Sequence, residues 1–166
     1  MGFVIKNEYN KYLEDIAPTN ARIMSIRLAS TAPITLHNVY APQSGQTEQV
    51  KQSFYQQITE VIRKTNKKGP YILMGDWNAR LQEPDDDEES LVIGSHTFGQ
   101  GEPVTWNQNE AVEDNRERMM EICRHRQLIP INTWFAKPPH KLCTWRNPST
   151  RAEDPWDRTP MIKSTT

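Results

Sequence analysis

The run Ile72-Leu73-Met74-Gly75-Asp76-Trp77-Asn78-Ala79-Arg80 sets a carboxylate and a carboxamide two positions apart at the end of an apolar stretch. In an extended chain, side chains at i and i+2 point to the same side, about 6 to 7 Å apart. Asp76 and Asn78 are therefore expected to face one site from the end of a rigid strand. A carboxylate there orients a water or takes its proton. A carboxamide donates to an oxygen that bears negative charge. The pair suits hydrolysis of a phosphate ester. The competing reading is a plain turn, because Asx side chains readily bond their own backbone in a Gly-Asp-x-Asn sequence.

Positioning such a pair needs strands and helices around it. Gly2 to Lys6 reads as a short strand, and Ala21 to Ser30 alternates with period two. Ile34 to Tyr40 is β-rich and stops at Ala41-Pro42, since proline has no N–H for a central strand. Thr47 is placed as the N-cap of a helix whose apolar stripe is Val50, Phe54, Ile58, Val61 and Ile62. Gly69-Pro70 terminates it. Tyr71 to Met74 is the next strand. Pro84 to Glu89 is an acidic run expected as a solvated loop, and Ile93 to Asn109 reads as irregular. Asp114 with Glu117 forms a capping-box pattern for a second helix. Leu128 to Asn132 and Leu142 to Trp145 are expected strands. The patterning predicts an α/β or α+β fold with a mixed sheet.

The chain has 166 residues, enough for one domain with a core, and 36% hydrophobic residues, which is lean. Lys+Arg 20 against Asp+Glu 21 gives a formal net charge of -1, so overall charge neither points to nucleic acid nor excludes it. Cys123 and Cys143 fit no metal spacing and are expected reduced. No signal-peptide pattern opens the chain and no window approaches a membrane span, so an intracellular protein with no membrane association is expected.

Asn38-Val39-Tyr40-Ala41-Pro42, then a helix, then Gly75-Asp76-Trp77-Asn78-Ala79 is similar to the endonuclease/exonuclease/phosphatase superfamily. The pattern most resembles the apurinic-type endonuclease domain of non-LTR retrotransposons and their domesticated relatives. Arg22-Ile23-Met24-Ser25-Ile26, Ile131-Asn132-Thr133-Trp134-Phe135 and Cys143-Thr144-Trp145-Arg146-Asn147-Pro148 continue the match in order. The resemblance implies a β-sandwich flanked by helices. Asp76 then takes the place of the residue that activates water, Asn78 that of the phosphate-contacting asparagine, and Tyr40 that of the tyrosine supporting the phosphate. Thr144 matches a position near the rim. Asn115 matches the asparagine that introduces the next helix, where it also reads as a cap. The implied cofactor is Mg²⁺, with Asp76 as a ligand, and the implied substrate is nucleic acid.

The family's metal-binding glutamate and catalytic histidine lie on segments that flank the part matched here. The expectation is a partial domain over 1–150 with an irregular tail over 151–166. Its active site is then incomplete and its activity impaired. The alternative is a non-catalytic structural or binding subunit, with a protein partner covering the exposed edges. His37, His96, His125 and His140 read as structural or surface residues. Glu8, Glu14, Asp154 and Asp157 stand in no recognisable metal motif.

Overall fold

The β-rich runs pair with one another and recruit a neighbour at the edge. The computed structural model describes residues 1–65, 69–97 and 110–138, with side chains from 115 onward in the last stretch. Four strands form one sheet in chain order: β1 (Leu13–Asn20), β2 (Ile23–Leu28), β3 (Ile34–Tyr40) and β4 (Tyr71–Asp76). β1–β2 and β2–β3 are antiparallel, and β3–β4 is parallel. A parallel neighbour demands a crossover, which helix α1 (Glu48–Lys64) supplies. Mixed sheet and helices make this an α/β protein, as expected.

The chain divides into two compact units, Met1–Arg80 with Gln108–Met119, and Leu81–Asn107 with Met120–Thr166. The first holds the sheet. Ile23, Ser25, Thr35, His37 and Val39 are buried on one face of it. α1 buries Lys51, Phe54, Tyr55, Ile58 and Ile62. The buried stripe thus differs in two members from the expected one: Lys51 and Tyr55 are buried, Val50 is exposed and Val61 is half-buried. Thr47 stands at the N-cap, but its hydroxyl makes no cap bond; its carbonyl accepts from Val50 N–H. The opposite sheet face leaves Ile16, Ile72 and Met74 exposed.

In the second unit the acidic run is solvated as expected from Asp85 to Glu88, but its end is helical and its last carboxylate is buried. Asp86 caps α2 (Asp87–Ser90) through Glu89 N–H, and the buried Glu89 pairs with Arg124 at 3.0 Å. Helix α3 (Glu110–Arg126) starts before the expected capping box, so Asp114 lies inside it. Cys123 is buried, and desolvation pushes its thiol up to about 11.

Two strand expectations fail, and a third falls outside the described residues. Gly2 to Lys6 forms no strand; Gly2 O accepts a bond from Asn38 Nδ2 instead. β1 replaces it, an exposed edge strand that tolerates Pro18. Leu128 to Asn132 yields only a 3-10 turn over Ile131–Thr133, closed by Thr133 N–H on Pro130 O. Leu142 to Trp145, Cys143, His140 and the 151–166 tail lie outside the described residues. Among the described residues no helix is long and apolar enough to cross a membrane.

His37 ties the core face together. Its Nδ1 meets Ser25 Oγ at 2.7 Å and its Nε2 meets Thr65 Oγ1 at 3.0 Å. Burial lowers its pKa from 6.5, because the charged imidazolium loses hydration. The unfolded chain then binds a proton near pH 6.5 that the folded chain refuses, so this contribution is complete above that pH and fades below it. The urea midpoint of the wild type should fall between about pH 7 and pH 5, and fall less in His37→Gln. Equal falls would exclude His37 as the source.

Candidate active site

β3 and β4 end side by side because they run parallel, and the last pair of their ladder is Tyr40 with Asp76. Ala41 N–H donates to Asp76 O at 2.8 Å and extends the contact by one bond. Gly75 makes this possible. Its φ is 129°, and a Cβ there would stand 1.9 Å from Val39 O. Gly75 pairs with Val39 on the buried face, so by alternation Tyr40 and Asp76 share the other. Both are exposed, Tyr40 by 41%. Trp77 packs edge-on to Phe54 of α1, with ring centroids 6.4 Å apart, and pins the loop beyond β4.

Asn78 reaches the site by a different route from the one expected. β4 stops at Asp76, and Asn78 has φ 46°. Its N–H donates to Asp76 Oδ1 at 2.9 Å, an Asx turn. A turn, not a continued pleat, therefore sets the spacing of the two side chains. The Asn78 carboxamide donates from Nδ2 to Ala41 O at 2.7 Å. Asp76 Oδ2 and Asn78 Oδ1 have no hydrogen-bond partner among the described residues.

Asn115 is neither a helix cap nor a surface group. It lies within α3 and is fully buried. Its Nδ2 donates to Pro42 O at 2.9 Å and to Asn78 O at 3.1 Å. Tyr55 Oη donates to its carbonyl at 3.2 Å. One amide thus holds the chain after β3 and the chain after β4, while its own Oδ1 is buried without a partner. Full burial makes it a positioning residue rather than a substrate contact. Neither that role nor the need for Gly75 is visible in composition, although the Asn115 position itself carries part of the motif resemblance.

The structure therefore brings together Tyr40, Asp76, Asn78 and Asn115, whereas Thr144 lies outside the described residues. His37 sits on the opposite, buried face. Among the described residues no group of three His, Cys, Asp or Glu side chains could hold a metal ion. Asp76 alone fits as one carboxylate of a largely hydrated Mg²⁺, which commonly keeps several waters.

Fold and site together define an α/β protein with an acid, an amide and a phenol gathered where two parallel strands end. The chain is similar to Craniofacial development protein 2 of Bos taurus, 32% identical over 139 residues or 83% of this chain, and to that of Tragulus javanicus, 30% identical over 139 residues. It spans about a fifth of the length of these curated relatives, 21% and 22%. No protein-family model and no solved structure matches the chain.

Asn115→Ala leaves Pro42 O and Asn78 O without their donor. The expected loss is about 2 to 4 kcal/mol, read from urea unfolding, as one buried and one part-buried carbonyl lose a partner. Asn115→Asp, which replaces the donor by a charged acceptor, should cost more. Wild-type stability in both variants would show that the amide is no clamp.

Proposed function

We propose that the first unit carries the phosphate site of a Mg²⁺-dependent phosphodiesterase of the endonuclease/exonuclease/phosphatase type, acting on nucleic acid. The observation that supports it best is the Tyr40–Asp76 ladder pair with Asn78 bound back onto Ala41. Those are the three positions that the ordered motifs single out.

Asp76 Oδ2 accepts the proton of an attacking water as the water oxygen bonds to phosphorus, while Asn78 N–H keeps Oδ1 and the carboxylate plane fixed. The bond from phosphorus to the leaving oxygen breaks, and that oxygen takes a proton from solvent. The Tyr40 hydroxyl donates to a non-bridging phosphate oxygen. Asp76 would hold a bound Mg²⁺ as its one carboxylate, and the ion would neutralise phosphate charge.

A second reading, a binding module without turnover, is favoured by one observation. Among the described residues Asp76 is joined at the site by a phenol and an amide, and no group of three His, Cys, Asp or Glu side chains could hold a metal ion. Both readings keep phosphate recognition and differ in cleavage.

The experiment is nicking of supercoiled plasmid with Mg²⁺ by the wild type and by Asp76→Ala. Nicking that falls at least about 100-fold in the variant supports the enzyme, in line with removal of a general base. Equal, negligible nicking with retained DNA binding supports the binding module. A wild type that neither nicks nor binds DNA would overturn the assignment.

A further inference from the structure

A carboxylate is a poor neighbour for a phosphodiester. Asp76 is exposed and negative, and none of Tyr40, Asn78 and Asn115 carries a positive charge. A phosphate at this end of the sheet needs a cation held close by. Arg80 comes next in the same loop but is already engaged by another group.

Arg22 is the better placed. It immediately precedes β2 and lies against the last residue of β3. Tyr40 N–H donates to Arg22 O at 2.9 Å, and Arg22 Nη1 donates to Tyr40 O at 3.2 Å. The guanidinium carbon stands 5.4 Å from the centroid of the Tyr40 ring, within cation–π range. Asn20 Oδ1 accepts from Arg22 N–H at 2.7 Å and fixes the turn that presents it. Arg22 is half-buried and has no carboxylate partner among the described residues, and its guanidinium makes one hydrogen bond there, from Nη1 to Tyr40 O. Arg22 just before β2, Tyr40 at the end of β3 and Asp76 at the end of β4 therefore form a row, with cation, phenol and acid in that order.

We infer that Arg22 binds a backbone phosphate of the substrate and holds the Tyr40 ring by stacking on it. A planar fork suits the paired oxygens of a phosphodiester better than a point charge does. The inference rests on the phosphodiester reading of this unit and adds a residue that the motif resemblance gives no role. Arg22 neutralises one phosphate charge, so each binding event should release the counterion of that phosphate.

The test is fluorescence anisotropy of a labelled single-stranded oligonucleotide against the 166-residue chain over a NaCl series, with wild type, Arg22→Gln, Arg22→Lys and Asp76→Ala. Arg22→Gln should weaken binding by about tenfold at low salt and reduce the slope of log K on log salt by about 1. Arg22→Lys should restore the slope and not the full affinity, because it returns the charge without the fork. Arg22 is half-buried, so the urea midpoint of each variant is measured beside its affinity, and an unchanged midpoint shows that the fold is intact. Wild-type affinity and slope in Arg22→Gln, with the wild type binding, would overturn the role of Arg22 and leave the phosphodiester reading standing. No binding by wild type or Asp76→Ala would sink that reading, and this inference with it.

Discussion

The parallel pairing of β3 with β4 is the constraint on which the rest depends. An antiparallel neighbour would bring the start of one strand beside the end of the other. Parallel pairing makes both strands finish together, so Tyr40 and Asp76 become ladder partners. It also demands a long crossover, which is why α1 lies between them in the chain. The close approach of the two backbones at Val39 leaves no room for a side chain, hence Gly75 just before the acid. Pro42 ends the first strand and the Asx turn at Asp76 ends the second.

Backbone carbonyls, rather than side-chain pairs, hold the loops beyond the two strands. Asn78 reaches Ala41 O, and Asn115 reaches Pro42 O and Asn78 O. Such contacts fix loop positions while leaving the Tyr40 ring and Asp76 Oδ2 available to solvent. The unpartnered Asn115 Oδ1 is a penalty of this arrangement. A buried acceptor without a donor costs about 1 to 3 kcal/mol and offsets only part of what the clamp contributes, because losing the amide would leave two carbonyls without a donor. The clamp therefore places the loops and still adds net stability.

Much of this is legible in sequence, and the failures have physical causes. β2, β3, β4 and α1 stand where apolar period and proline place them. β1 gives no such signal, because an exposed edge strand needs no alternation; its register comes from β2, which it borrows. Leu128 to Asn132 has strand-forming residues, yet Pro130 offers no N–H and a tight turn uses its carbonyl instead. The turn at Asp76 is contained in Gly-Asp-x-Asn; the pleat and the turn are both local options, and local sequence does not decide between them. Asn115 is 37 residues from Asn78 and 73 from Pro42, so no local pattern announces that its amide joins them.

Nuclear magnetic resonance on the isotope-labelled chain tests the central geometry most directly. Cross-strand contacts between the backbone protons of Tyr40 and Asp76, with the Asn115 side-chain amide protected from solvent exchange, are the expected result. Missing Tyr40–Asp76 contacts together with an Asn115 amide exchanging at the free-solvent rate would contradict the account, because the acid and the phenol would no longer share one end of the sheet.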